Sequence, residues 1–215
     1  MTTMIDYSVD ERLEHDLLAR FPYDETPANI PESYRPTVGD RGVIEYRNGI
    51  SYDFELVRCH YNGLPMIEPV KASRRGDCDW LIGHMFNGDL ISLLDMSLSD
   101  IRFRLTDPAG DISMPSIAVA PVMPDDLTRM FLNRFEYADG GRMRIGDRGR
   151  FHVENGDGSD GGWFPMRVSR EPATGIPALL VDYRSPDDYR FRRHRAEFRS
   201  LFAGAWFSKF LREDE

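Results

Sequence analysis

The sequence predicts a mainly β (α+β) fold, built as a tandem duplication of a helix followed by a small β-barrel, with an added C-terminal helix. Three observations carry this. Residues 38–49, VGDRGVIEYRNG, return at 145–156 as IGDRGRFHVENG, 107 positions later. Each copy of the motif is preceded by apolar residues at helical spacing. Each is followed by short alternating runs broken by Gly, Pro and Asn-Gly, the pattern of strands joined by tight hairpins.

The echo extends on both sides of the motif. Leu18, Arg20, Phe21 and Tyr23 recur as Leu132, Arg134, Phe135 and Tyr137 at an offset of 114. Gly63-Leu64-Pro65 answers Gly175-Ile176-Pro177 at 112, and Asp100-Ile101-Arg102 answers Glu197-Phe198-Arg199 at 97. Offsets that drift while the order holds are what loop insertions and deletions do to a duplicated unit. The expected organisation is a first repeat over 1–105, a linker over 106–122, and a second repeat over 123–215 that carries the C-terminal helix.

The opening helix of the first repeat shows Leu13, Leu17, Leu18 and Phe21 on one stripe, with Ser8 or Asp10 as cap. In the second, Leu127, Phe131, Leu132 and Phe135 repeat it after Pro124-Asp125-Asp126, a favourable helix start. Strands are expected in GDRGVIEY, SYDFELVRCHY, LPMIEPV, DWLIGHMF, DLISLLDM and SDIRFRL of the first repeat. The second offers RGRFHV, GWFPMRVS, IPALLVDY and AEFRSLF. About five short strands in so few residues favour a closed barrel, which removes exposed sheet edges.

The residues Gly-Asp-Arg-Gly opening a first strand, an Asn-Gly turn, an aromatic second strand and a closing Asp-Ile-Arg or Glu-Phe-Arg resemble Tudor and Agenet-type SH3-like barrels. The likeness covers 38–105 and 145–202. It implies an SH3-like barrel in each repeat and, at the family's ligand site, a cage of rings around a methylated cation. Trp163, Phe164, Tyr183 and Tyr189 are the rings the second repeat offers; Tyr46, Tyr52, Phe54 and Trp80 are those of the first. Packing in the barrel core is the competing expectation for all of them.

The stretch 106–122 is rich in Pro and Ala and joins the repeats. At the C-terminus, LFAGAWFSKFLRE places Leu201, Phe202, Trp206, Phe207, Phe210 and Leu211 at helical spacing without a counterpart in the first repeat. That helix is expected to pack on the barrels, with a dimer contact as the alternative.

The chain has 215 residues, a formal net charge of −9 and 41% hydrophobic residues. The acidic balance argues against a general DNA or RNA binder, which needs excess positive charge. Cys59 and Cys78, without a C-x-x-C, read as small buried thiols. The acidic N-terminus is no signal peptide and no run is long and apolar enough to span a membrane, so a cytoplasmic protein is expected. Catalytic signatures are missing, the five histidines lack metal-ligand spacing, and ENGDGSDGG at 154–162 fails the calcium-loop pattern. No catalytic residue, metal or cofactor is therefore expected.

Charge is uneven. Residues 1–37 carry a net of −5, whereas RSPDDYRFRRHRAEFR at 184–199 carries +3. Arg190, Arg192, Arg193 and Arg195 interleave with Tyr189 and Phe191, the layout of a single-strand nucleic-acid strip. The leading expectation is a non-catalytic protein-binding module, an adaptor or an inhibitor that presents an acidic surface to a nucleic-acid-binding partner. RNA or single-strand binding through the Arg-rich strand is the second, and an enzyme with an unfamiliar site between the barrels the third. Turn and packing residues are what the two repeats share, while their rims have diverged, so function is expected to differ between them or to sit in one.

Overall fold

The computed structural model describes residues 10–46, 49, 51–58, 63–70, 101–112, 119–154, 160–181, 197–200 and 210–213. They fall into two compact units, 10–119 and 120–213. Both are mainly β. The expected strands DWLIGHMF and DLISLLDM, both cysteines and residues 113–118 lie outside the described residues.

The first unit opens with α1 (Glu11–Leu18). Asp10 caps it, its Oδ1 accepting from the amides of Arg12 at 2.9 Å and Leu13 at 3.1 Å. Leu13, Leu17, Leu18 and Phe21 are buried, as their stripe predicts. Four strands follow: β1 (Arg41–Tyr46), β2 (Ser51–Arg58), β3 (Pro65–Pro69) and β4 (Ile101–Asp107). They form one antiparallel sheet in the order β3-β2-β1-β4, so the last strand returns to pair with the first. Along β2, Tyr52, Phe54 and Leu56 are buried between half-buried neighbours, the period-two signature of a one-sided sheet. Phe103 of β4 stacks between Phe54 and Tyr23, with ring centroids 4.7 and 4.6 Å away.

The second unit opens with α2 (Asp125–Leu132), preceded by Pro124, with Leu127, Phe131, Leu132 and Phe135 buried. Its strands are β5 (Arg148–Glu154), β6 (Asp160–Arg170), β7 (Pro177–Val181), β8 (Glu197–Ser200) and β9 (Phe210–Arg212), in the order β8-β7-β6-β5-β9. Two expectations are corrected here. Phe210 and Leu211 belong to a strand, not to a C-terminal helix; residues 201–209 lie outside the described set. Phe210 is buried and Leu211 exposed, so neighbouring residues face opposite ways, as in a pleated strand. The counterpart of β4 is therefore β9 and not Glu197-Phe198-Arg199, which form β8 and pair with β7.

The register of the two sheets coincides. Ile44 pairs with Tyr52 and Phe103 in the first, and Phe151 with Phe164 and Phe210 in the second. The repeated Gly-Asp-Arg-Gly acquires a structural meaning from this. Gly39 and Gly146 take φ of +98° and +97°, a region glycine enters at little cost, and turn the chain so that their amides donate to Leu56 O and Val168 O. Asp40 and Asp147 then receive the hydroxyls of Tyr23 and Tyr137, the tyrosines that recur just after each helix. The first unit elaborates this knot. Asp40 is 0% exposed and its carboxylate accepts four bonds: Tyr34 OH at 2.5 Å and Ala109 N at 2.7 Å on Oδ1, Tyr23 OH at 2.8 Å and Thr37 N at 2.9 Å on Oδ2. The start of the stretch expected to be a linker is thus bound into the first unit. A further equivalence ties sheet to helix: Arg58 donates to Glu14 of α1 at 2.6 and 3.0 Å, and Arg170 donates to Thr128 Oγ1 of α2 and to Met123 O at 2.9 and 3.0 Å.

Burial, then the hydrogen bond to Asp40, pushes the Tyr34 hydroxyl up to about 12. Burial and the Asp40 charge raise Tyr23 well above its ordinary value too. In the unfolded chain both ionise near pH 10. A raised folded value means that the contribution of these groups to stability is complete below that pH and is lost as pH climbs beyond it. The melting temperature is expected to hold between neutrality and about pH 9.5 and to fall steeply from about pH 10 to 12. Calorimetric scans across that range check this; a flat profile would contradict the buried Tyr–Asp knot.

Candidate functional site

Of the rings expected in a cage of the second repeat, Trp163 and Phe164 do not share a face. Trp163 and Phe164 are consecutive in β6, so their side chains point to opposite faces of the sheet. Phe164 lies with buried Met166 and Val168 opposite Phe151, whereas Trp163 is 39% exposed. In the first unit Tyr52 and Phe54 are core residues. Tyr183, Tyr189, Arg190, Arg192, Arg193 and Arg195 lie outside the described residues, as do Trp80 and the side chain of Tyr46.

Trp163 instead belongs to a surface that the expectations did not single out. In an antiparallel sheet, directly paired residues share a face. On the outer face of β5 and β6 the pairs are Arg148 with Arg167, Arg150 with Pro165, and His152 with Trp163. The three arginines, Pro165 and Trp163 are exposed and His152 is half-buried. The His152 and Trp163 rings lie 4.8 Å apart at 54°. Flanking them, Leu211 of β9 sits beside Arg150 and is 42% exposed, and half-buried Leu180 of β7 sits beside Arg167.

The same six positions of the first sheet carry a different set of charges. They are Arg41 with Glu55, Val43 with Asp53, and Glu45 with Ser51. Arg41 pairs with Glu55 at 3.1 Å, and Arg104, beside Val43, lies 3.7 Å from Glu45. One arginine against three carboxylates gives this set a net charge of −2; the equivalent set of the second sheet has three arginines, no carboxylate and a charge of +3. Directly opposed like charges, such as Arg148 and Arg167, destabilise a sheet by a few tenths of a kcal/mol to about 1 kcal/mol. Three other arginines of the unit are answered: Arg142 by Glu136, Arg170 by Asp125 and Arg212 by Asp147. Among the described residues no carboxylate is ion-paired with Arg148, Arg150 or Arg167.

The signal was present in the sequence. Alternation in RGRFHV places Arg148, Arg150 and His152 on one face, and an offset of 112 in the second strand sets Arg167 against Glu55. Elsewhere, the buried carboxylates are committed to internal partners. Asp16 holds Arg20 through two bonds of 2.8 and 3.0 Å, and Asp40 is saturated as described. Among the described residues no group of three or more His, Cys, Asp and Glu is placed to hold a metal, and no helix is long and apolar enough to cross a membrane.

No protein-family model matches the chain, and no curated protein or solved structure is similar to it.

Proposed function

We propose that this is a non-catalytic protein-binding module, an adaptor or inhibitor, in which a duplicated helix-plus-barrel unit of SH3-like type carries one diverged contact surface, the outer face of β5 and β6. The return of the last strand to the first in each sheet supports the barrel reading, because that pairing is the step a small closed sheet requires. The observation that carries the functional reading is the charge reversal at equivalent positions. Three carboxylates in one sheet give way to arginine, proline and histidine in the other, in the same register. Opposed like charges, with no carboxylate ion-paired to them among the described residues, are expected where a surface is kept for another molecule. The contact therefore sits on a basic, Trp-bearing face within an acidic protein, rather than on the acidic surface that total charge brings to mind.

A double variant, Arg150→Glu with Trp163→Ala, tests this in a pull-down from the source organism after nuclease treatment. Wild-type protein is expected to retain a stoichiometric protein partner that the variant loses, while both melt at similar temperatures. Retention of the same partner by the variant would remove the face from consideration. A bound species destroyed by nuclease would replace the protein-binding reading with a nucleic-acid one.

A further inference from the structure

Resting on that proposal, we infer that the occupant of the outer face of β5 and β6 is an extended, acidic protein segment with a carboxylate at every second position. Charge decides the first half. Arg148, Arg150 and Arg167 form a set with charge +3 and no carboxylate at the paired positions. Guanidinium is the group best shaped to take a carboxylate through two parallel bonds. Spacing decides the second half. Residues two apart on a strand, such as Arg148 and Arg150, are separated by about 6.8 Å, and so are alternate side chains of an extended peptide. A peptide running along the sheet presents carboxylates at the repeat the arginines present. The methylene stems of those same inward-facing side chains meet the Trp163 ring, Pro165 and Leu211, of which Trp163 and Leu211 are 39% and 42% exposed.

A single nucleic-acid strand fits less well. Such strands are held by successive ring platforms along a positively charged groove. Among the described residues this face offers one exposed ring, Trp163, with His152 packed against it. The chain as a whole carries −9, which opposes a long polyanion at every approach; a short segment is held by local contacts alone.

The test uses the full chain and three labelled probes: a short blocked peptide alternating Glu and Val, its Gln counterpart, and an oligothymidylate of equal length. Anisotropy is read at low and physiological salt. The Glu peptide is expected to bind, the Gln peptide to bind at least about tenfold more weakly, and affinity to fall with added salt. Arg150→Glu and Arg167→Glu should each weaken the Glu peptide about tenfold or more. Arg129→Glu, an equal charge change on the exposed side of α2, should leave it within about twofold. Tighter binding of the oligothymidylate, lost in the same two variants, would overturn the inference while keeping the face as a site. Failure of the Glu peptide to bind would also overturn it. The proposed function would then still stand or fall on whether the captured partner depends on Arg150 and Trp163.

Discussion

Asp40→Ala is expected to destabilise the first unit by about 3–5 kcal/mol, the range for removing one member of a buried, fully paired charged cluster. The carboxylate is 0% exposed and takes two tyrosine hydroxyls and two backbone amides. Alanine leaves all four donors facing a void, and each buried donor without an acceptor costs about 1–3 kcal/mol before relaxation. Relaxation is limited, because the donors come from positions 23, 34, 37 and 109 and are held by different parts of the chain. The equivalent Asp147→Ala is expected to cost only about 1–2 kcal/mol. Asp147 is half-buried and accepts from Tyr137 OH at 3.2 Å and Arg144 N at 2.9 Å, with Arg212 at 3.6 Å on its other oxygen. Two of the three groups that Asp147 would abandon, at Arg144 and Arg212, belong to exposed residues that water reaches, whereas the Asp40 carboxylate itself is wholly enclosed. Urea unfolding of the two variants by circular dichroism measures the difference. Equal losses would mean that the four-fold coordination of Asp40 adds nothing to the shared Tyr–Asp contact.

What the sequence disclosed follows a physical division. Both helices were legible because Leu13, Leu17, Leu18 and Phe21, and their counterparts, lie close together in the chain and need only a 3.6-residue period to be recognised. The strand alternation of Tyr52, Phe54 and Leu56 was legible for the same reason at period two. Phe210–Arg212 was misread because three residues cannot establish a period, and they were read together with the helical spacing of Leu201, Phe202, Trp206 and Phe207. Its pairing with β5, 59 to 63 positions earlier in the chain, decides its structure. The Asp40 knot was hidden likewise, since Tyr23, Tyr34, Thr37 and Ala109 share no spacing that a local pattern reveals. That Trp163 and Phe164 could not serve one cage together was open to view in the sequence: they are adjacent, and adjacent strand residues cannot share a face. Recognising the basic face required reading the repeats against each other at positions where charge, and not packing, differs.

The close approach of the sheet strands at Gly42 and Gly149 gives the second large effect, and it differs between the units in a way that reaches the proposed site. A Cβ on Gly42 would stand 2.1 Å from Arg104 O and 2.6–2.7 Å from the Phe54 ring; on Gly149 it would stand 2.1 Å from Leu211 O. Neither carbonyl can rotate away, because each belongs to the backbone of the paired strand, so the strands must part. Gly42→Ala has no inexpensive way to do this. β4 spans seven residues, carries Phe103 at the centre of the Tyr23–Phe54 stack, and is anchored on its far side by the bonds from Asp24 N to Phe103 O and from Leu105 N to Glu25 O. A loss at or above the top of the 1–3 kcal/mol typical of overpacking is expected, lowering the melting temperature by about 10 °C or more. Gly149→Ala has a softer escape. β9 is three residues long, so shedding it gives up Phe210 and little else of the core. That variant should stay folded, lose about 1–3 kcal/mol, and show faster amide exchange at Phe210, whereas the β6–β7 amides stay protected. Because Leu211 flanks Arg150, it should also weaken the Glu peptide without touching an arginine. Wild-type melting and exchange in Gly149→Ala would show that the strands do not approach this closely; loosened β9 with undiminished peptide binding would take Leu211 out of the contact surface and confine it to the arginines, His152, Pro165 and Trp163.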